Sequence, residues 1–291
     1  MLVVAAILAG AIGILLGLLG GGGSILTLPM LVYVLKIDPK EAIASSLFVV
    51  GTTSFVGAVA HARAGRVVWR VGALFGVAGM AGAYGGGRLA HAIPATILLV
   101  LFGAMMLLTS VAMLRSRRPT EPRELAVAKA IVLGVLVGGL SGLVGAGGGF
   151  LVVPALSILG GLPMPRAVAT SLLVIALQSF SGFMGHVAHV SLHWPWLGLV
   201  TSVCIAGSLL GARLAKHANP DTLRKAFGWL VLAMGVFLIG MQLPKGLARD
   251  VGTPSAMLMV IAFAVGFLSR SAQEKKTMPL ESSPPPRQRS A

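Results

Sequence analysis

A run of glycines interrupts an otherwise continuously apolar segment near the start of the chain, and it recurs 125 residues later. The first break reads Gly20-Gly21-Gly22-Gly23-Ser24 and the second Gly145-Ala146-Gly147-Gly148-Gly149, and a proline follows each at the same distance. The register then holds through both halves, pairing His61 with His186, Trp69 with Trp194, and Ala44-Ser45-Ser46-Leu47 with Ala169-Thr170-Ser171-Leu172. Self-similarity at a fixed offset indicates a duplicated module. The fold must therefore contain two copies of one unit, each with a broken first segment.

The placement of charge indicates that both copies lie in a bilayer. The 291-residue chain is 56% hydrophobic and 11% charged, which leaves too few polar side chains to cover a soluble globule. All eight acidic residues lie outside the long apolar runs or at the first residue of one. The net charge of +15 is scattered over loops and a tail, without the compact basic face of a nucleic-acid-binding protein. We therefore expect the lipid bilayer as a partner and no nucleic acid.

The apolar runs predict an all-α polytopic membrane protein, because a membrane-spanning helix needs about 17 to 25 residues. The first copy has runs at 2–19, 25–35, 41–62, 69–90 and 95–114, and the second at 130–144, 150–160, 166–187, 195–214 and 221–243. The run after each glycine break is too short to cross alone, so it predicts a half-helix. The predicted organisation is repeat 1–114, basic linker 115–129, repeat 130–243, an additional transmembrane helix 253–269 and a disordered tail 270–291.

The distribution of lysine and arginine predicts how the copies are oriented, since positive loops favour the cytoplasm. If the segments on either side of each break count as two passes, the copies are inverted and the two sides carry 18 and five basic residues. If each broken segment crosses once, the split is 13 to 10 at best. We therefore expect two inverted repeats, with the N-terminus outside and the linker and C-terminal tail in the cytoplasm.

The glycine breaks are the candidate substrate site. Irregular backbone inside hydrocarbon is tolerated only where protein or water satisfies it, and free N–H groups at the start of a half-helix attract an anion. Two inverted breaks would then bind one substrate near the midplane, as in transporters with discontinuous helices. The alternative is that the glycines only permit close helix packing. The backbone candidates are Gly20, Gly21, Gly22, Gly23, Ser24, Gly145, Gly147, Gly148 and Gly149.

Hydroxyl side chains follow each break and could donate to an oxyanion. They are Ser45, Ser46, Thr170 and Ser171. Gln178 and Ser179 lie near mid-span and raise the same question. The alternative is that these hydroxyls bond to their own helix backbone, as is common in membrane helices.

The remaining candidates are ionisable. His61 and His186 occupy equivalent positions and could gate the path or couple a proton to transport, because histidine titrates near neutral pH. The alternative is that both lie at the membrane interface without a role in transport. Arg88 and Arg213 could attract anions or could snorkel to headgroups. His189 and His193 lack the cysteine or carboxylate partners of a metal site, and Cys204 stands alone. We expect no metal and no cofactor.

The duplicated motif resembles the sulfite exporter TauE/SafE family of membrane permeases. The residues that resemble it are Gly-Leu-Leu-Gly-Gly-Gly-Gly-Ser and Ala44-Ser45-Ser46-Leu47, repeated as Gly-Leu-Val-Gly-Ala-Gly-Gly-Gly and Ala169-Thr170-Ser171-Leu172. The likeness covers about residues 1–243. It implies an inner-membrane secondary transporter that moves a sulfur-containing oxyanion, such as sulfite or an organosulfonate, usually outward.

Other functions stay open from the sequence. One is a permease for another substrate class, such as a metal ion or a neutral metabolite, although the lack of intramembrane acids disfavours a cation. Another is a membrane assembly factor without transport of its own. An enzyme is not expected, since no nucleophile and base stand out, and no P-loop indicates ATP hydrolysis. The sequence is also compatible with a homo-oligomer.

Overall fold

The computed structural model describes residues 2–21, 23–115, 127–145, 147–215 and 220–242. Within these ranges the chain is helical and contains no strand. The predicted helix at 253–269, the tail at 270–291 and most of the linker at 115–129 lie outside the described residues, as does Gly22.

Each copy contributes five helices, and their bounds follow the apolar runs closely. The first copy forms α1 (Leu2–Leu19), α2 (Ser24–Pro29), α3 (Pro39–Arg63), α4 (Trp69–Ala90) and α5 (Ala95–Arg115). The second forms α6 (Val127–Val144), α7 (Gly149–Pro154), α8 (Met164–His186), α9 (Trp194–Leu214) and α10 (Pro220–Gln242). The all-α prediction is confirmed, and six of the described helices are long and apolar enough to cross a membrane.

The half-helices have the same local structure in both copies. A π-helical turn extends α2 over Met30–Val34 and α7 over Ala155–Leu159. It begins directly after Pro29 in one copy and Pro154 in the other, and each proline removes one backbone donor from the preceding helix. The turn closes with Leu35 N–H donating to Met30 O at 3.1 Å and Gly160 N–H donating to Ala155 O at 2.9 Å.

The copies interlock through small residues, and the contacts repeat at the 125-residue offset. In one half α1 packs on α9, where a Cβ on Gly13 would overlap the backbone of Cys204. In the other half α6 packs on α4, where a Cβ on Gly138 would overlap the backbone of Gly79. Small residues allow this close approach of backbones in membrane bundles. The first helix of each copy is therefore bound by the fourth helix of the other.

Equivalent helices of the two copies run antiparallel where they meet. Along the α3–α8 contact, Gly51 lies beside Ser179 and Phe180, whereas Gly57 lies beside Leu172. Along the α5–α10 contact, Gly103 lies beside Ile239, whereas Gly228 lies beside Leu114. In both contacts the residue number rises on one helix as it falls on the other.

The outer surface is apolar, as expected where lipid is the solvent. Leu108 and Ile7 are 73% and 64% exposed. The equivalent residues Trp69 and Trp194 begin α4 and α9 and are exposed, which is where tryptophan contacts the headgroup region. The apolar exterior and the helix lengths together indicate a multi-pass membrane protein.

Candidate functional site

The two glycine breaks meet inside the bundle. The chain leaves α1 and α6 through equivalent glycines with positive φ, +71° at Gly20 and +74° at Gly145. The backbones of Gly21 and Gly149 then lie in contact, so that a Cβ on either would overlap the other. The sequence predicted that the two breaks share one site, and the fold brings them together.

Each break is contacted by the third helix of the other copy, α3 or α8. Ser46 on α3 donates to the carbonyl of Gly145 and lies 2.9 Å from Ile43 O. The equivalent Ser171 on α8 donates to Val168 O at 2.8 Å, and a Cβ on Gly20 would lie 2.7 Å from its Oγ. Both hydroxyls are therefore directed to backbone carbonyls. For Ser171 this is its own helix, as the alternative interpretation expected, whereas Ser46 also bonds across to the other copy.

Ser24 is bonded within the first break. Its Oγ donates to Gly21 O at 2.7 Å and would lie 2.9 Å from a Cβ on Gly149. It is fully buried. Ser24 thus stabilises the bend of the first break at the point where the second break touches it.

Ser45 and Thr170 occupy equivalent positions but have different surroundings. Thr170 Oγ1 accepts a hydrogen bond from Val68 N–H at 3.0 Å and so fixes the loop before α4. Ser45 is buried and lines a small groove together with Glu41 and His193. Neither hydroxyl is among the atoms nearest to a break glycine.

The second break is surrounded by polar side chains. A Cβ on Gly147 would lie 2.6 Å from Ser179 Oγ, and one on Gly148 would lie 2.6 Å from Ser141 Oγ and 3.1 Å from Gln178 Oε1. Sequence analysis pointed to Gln178 and Ser179 and missed Ser141. The sequence feature that could have identified Ser141 is its position as a single hydroxyl residue in an apolar run, shortly before Gly145.

The two paired histidines are both buried at helix ends, His61 at 3% and His186 at 6% exposure. The Nε2 of His186 lies 2.8 Å from Gly142 O, to which it donates. Because α3 and α8 are antiparallel, the two histidines lie at opposite ends of that helix pair. Neither touches a break glycine within the described contacts.

A second histidine cluster lies near His186. The rings of His91 and His189 stack with centroids 4.2 Å apart. The Nζ of Lys40 donates to the carbonyl of His91 at 3.0 Å, and these residues line a small groove with His186. No group of three His, Cys, Asp or Glu in the described part of the chain has the arrangement of a metal site.

Arg88 and Arg213 are both exposed at helix ends. The guanidinium of Arg88 lies 5.9 Å from the centre of the Tyr84 ring, a cation–π distance. Both side chains are therefore placed at the surface, away from the meeting point of the breaks.

Comparison with known proteins places this architecture among membrane transporters. A family model described as "Sulfite exporter TauE/SafE" matches residues 5–238. A "Probable membrane transporter protein" of Xylella fastidiosa strain Temecula1 is 35% identical over 240 residues, covering 79% of this chain and 92% of that protein. The "Probable membrane transporter protein MJ0441" of Methanocaldococcus jannaschii is 29% identical, covering 78% and 91%. No solved structure matches the chain significantly.

Proposed function

Because the chain belongs to the sulfite exporter TauE/SafE family, we propose that it is a secondary transporter that exports a small sulfur-containing oxyanion, such as sulfite or an organosulfonate. Its family, the names of its relatives and its apolar helices identify it as a multi-pass membrane transporter. The observation that carries the finer proposal is the contact between Gly21 and Gly149, which brings two helix breaks to one point. Discontinuous helices that meet in this way form the substrate sites of many secondary transporters.

The proposed mechanism is alternating access between two inverted repeats. The antiparallel contacts of α3 with α8 and of α5 with α10 support inversion, because equivalent helices of inverted repeats cross the membrane in opposite directions. The interlocked packing of α1 on α9 and α6 on α4 offers two rigid bodies that can rock about the breaks. We assign this conformation, in which the described residues of both breaks are buried, to an occluded state of that proposed cycle.

The proposed substrate contacts are backbone groups of the breaks and the hydroxyls beside them. The backbone groups belong to Gly20, Gly21, Gly22, Gly23, Ser24, Gly145, Gly147, Gly148 and Gly149, and the hydroxyls to Ser45, Ser46, Thr170 and Ser171. In the occluded conformation Ser46 and Ser171 bond to backbone carbonyls. Opening of either side would have to release these bonds before the hydroxyls could donate to an anion.

The electrostatics favour an anion over a cation. The described acidic residues, Asp38, Glu41 and Asp221, all lie at helix starts, and the buried polar side chains include no carboxylate. Cation carriers place such carboxylates in the path. Arg88 and Arg213 would raise the local anion concentration at the two entrances, and His61 and His186 would couple transport to pH.

The proposed location is the cell inner membrane, with the N-terminus outside and the tail in the cytoplasm. The loop of residues 63–70 and the ends of α5 and α9 are then cytoplasmic, in agreement with the 18-to-five distribution of basic residues. Export would carry the anion from this positive side outward.

Reconstitution tests this function directly. The purified full chain in proteoliposomes should move radiolabelled sulfite and methanesulfonate faster than empty liposomes do, and faster than it moves acetate. A Gly21→Leu variant that remains monodisperse should lose this flux. Monodisperse wild-type protein that moves neither sulfur anion would contradict the proposal, and retained flux in Gly21→Leu would favour a role for the breaks in packing alone.

A further inference from the structure

Three polar side chains at the second break have no partner in the described structure. Ser141, Gln178 and Ser179 are each 0% exposed. The Oγ atoms of both serines and both amide atoms of Gln178 make no hydrogen bond there. Leaving a buried donor or acceptor unpaired costs free energy, and buried polar side chains in proteins are rarely left so. The donors and acceptors of these three side chains are therefore available to form hydrogen bonds with a ligand.

The three side chains converge on two glycines. Gly147 and Gly148 have φ values of +62° and +69°. A Cβ on Gly147 would lie 2.6 Å from Ser179 Oγ. One on Gly148 would lie 2.6 Å from Ser141 Oγ and 3.1 Å from Gln178 Oε1. Both hydroxyls and the amide oxygen of Gln178 thus lie at the same short stretch of backbone, and a side chain at either glycine would collide with them. The Nε2 of Gln178 lies instead against Gly79 on α4, where a Cβ would overlap it.

The first break is built differently. The positions equivalent to Ser141, Gln178 and Ser179 are Leu16, Thr53 and Ser54. The hydroxyls of Thr53 and Ser54 are also buried without a hydrogen bond, but neither is among the atoms nearest to a described break glycine. Gly23, equivalent to Gly148, has a right-handed backbone with φ −70°, and a Cβ there would meet Leu16 and the carbonyl of Ile12. The first break is thus closed by an aliphatic side chain at the point where the second is lined by a hydroxyl and an amide.

The chemistry of the cluster suits a ligand of low charge. Two hydroxyls and the amide NH₂ group supply four donor hydrogens, and Gln178 Oε1 supplies an acceptor. The buried polar side chains of the described residues include no lysine, arginine or carboxylate. The titratable group that comes nearest is His186. It lies eight residues, or about 12 Å, after Gln178 along α8, and its Nε2 donates to the carbonyl of Gly142, the residue after Ser141. A dianion buried here would lack a compensating cation, which is costly.

We infer that Ser141, Gln178 and Ser179, with the backbone of Gly147 and Gly148, bind the oxyanion head of the substrate, and that they select its singly charged form. The hydroxyls donate to the oxyanion oxygens, and the amide NH₂, which lies against Gly79 in the described conformation, donates once the side chain turns toward the second break. The Oε1 of Gln178 accepts from the O–H of a monoprotonated anion such as hydrogensulfite. This inference rests on the proposed function and adds an asymmetric site, in which the second copy binds the charge.

Matched variants in proteoliposomes test the asymmetry. Gln178→Met removes the amide at similar volume, and Thr53→Val is the control at the equivalent position of the first copy. The KM for sulfite and for methanesulfonate should rise about tenfold or more in Gln178→Met, because hydrogen bonds to a charged group are lost. Thr53→Val should stay within about twofold, since its hydroxyl is not nearest to a break glycine. Ser141→Ala and Ser179→Ala should raise KM, with Ser54→Ala as their control.

The pH arm tests the charge state. Methanesulfonate carries one charge throughout the neutral range, whereas sulfite gains a second as its remaining proton leaves. The ratio of sulfite flux to methanesulfonate flux should therefore fall as pH rises, and any titration of the protein that acts equally on both anions cancels in this ratio. Sulfate, a dianion, should have a KM well above that of methanesulfonate.

The outcomes separate this inference from the proposed function. Wild-type protein that moves neither sulfite nor methanesulfonate overturns both. Wild-type flux with equal KM in Gln178→Met and Thr53→Val overturns the asymmetric site alone, and a pH-independent flux ratio overturns the charge selection. If Gln178→Met elutes as aggregate, the Ser141→Ala and Ser179→Ala comparison with Ser54→Ala decides the question.

Discussion

Gly21 and Gly149 lie backbone against backbone, although they belong to different copies of the duplicated module. No other residue type fits at either position, because a Cβ on Gly21 would overlap the carbonyl group of Gly149 and one on Gly149 would overlap the Cα of Gly21. The contact joins the two broken helices directly. It explains why glycine runs at both breaks are required for packing as well as for any site between them.

Gly21→Ala is therefore expected to destabilise the bundle by about 1–3 kcal/mol, the usual cost of overpacking a close-packed interior. The collision is with backbone, so no rotation of a side chain relieves it. Thermal unfolding in detergent, followed by circular dichroism, measures the effect, and the sulfite flux should fall in parallel.

Gly85→Ala is the matched control for that variant. Gly85 lies within α4, and a Cβ there meets no other atom within 4 Å. Its unfolding temperature should stay near that of the wild type or rise slightly, since alanine favours a helix over glycine. Equal destabilisation by both variants would show that the loss is a general response to added methyl groups.

Ser46 links α3 to the second break, and its removal should weaken that link. Ser46→Ala deletes the hydrogen bond to Gly145 O, for an expected loss of about 1 kcal/mol in the free energy of unfolding. Ser202→Ala is the control, because its exposed hydroxyl donates only to Gly198 O in its own helix. That change should stay within about 0.5 kcal/mol, and an equal loss in both would argue against a special role for Ser46.

Histidine titration should appear in the flux of a substrate that does not itself titrate. Methanesulfonate flux is expected to rise as pH falls from about 8 to 5.5, because a protonated imidazole attracts the anion. A His61→Gln, His186→Gln double variant should have a flat profile, and glutamine retains a donor for Gly142 O at position 186. The exposed His193, which pairs with Glu41 at 2.8 Å, provides the control in His193→Gln. An unchanged profile in the double variant removes both histidines from the mechanism.

The sequence was sufficient to predict the helices, because each apolar run is bounded by polar or turn-forming residues. The run at 69–90 forms a helix over Trp69–Ala90, and the run at 2–19 forms one over Leu2–Leu19. The two broken helices also predicted that the breaks would meet, which Gly21 and Gly149 do. Inversion of the repeats and the binding roles at the breaks stay predictions.

The surroundings of individual side chains could not be predicted in the same way. Ser45 and Thr170 share a register position, yet only Thr170 fixes a loop, through Val68 N–H. The proposed role of Ser141 rests on its contact with Gly148, whose backbone is left-handed, a conformation that the sequence leaves open because glycine adopts either hand. Such differences arise from tertiary contacts between the copies, which periodicity along one segment does not contain.

The topology of the repeats can be tested at two equivalent loops. The loop after α3 and the loop after α8 share the 125-residue offset, and inverted repeats must place them on opposite faces of the membrane. Ala64 and Ser191 are exposed in these loops. The native thiol, Cys204, is 1% exposed and donates to Ala9 O, so it gives little background reaction with a maleimide.

In intact cells, a membrane-impermeant maleimide should label Ser191→Cys and leave Ala64→Cys unlabelled. The loop after α3 and the helix ends beside it carry three basic residues, Arg63, Arg66 and Arg70, and are expected in the cytoplasm. In everted vesicles the pattern should reverse. Wild-type protein, with Cys204 alone, is the control in both preparations. Labelling of both variants from the same side would make the repeats parallel, and the two breaks could then no longer face opposite membrane surfaces in an alternating-access cycle.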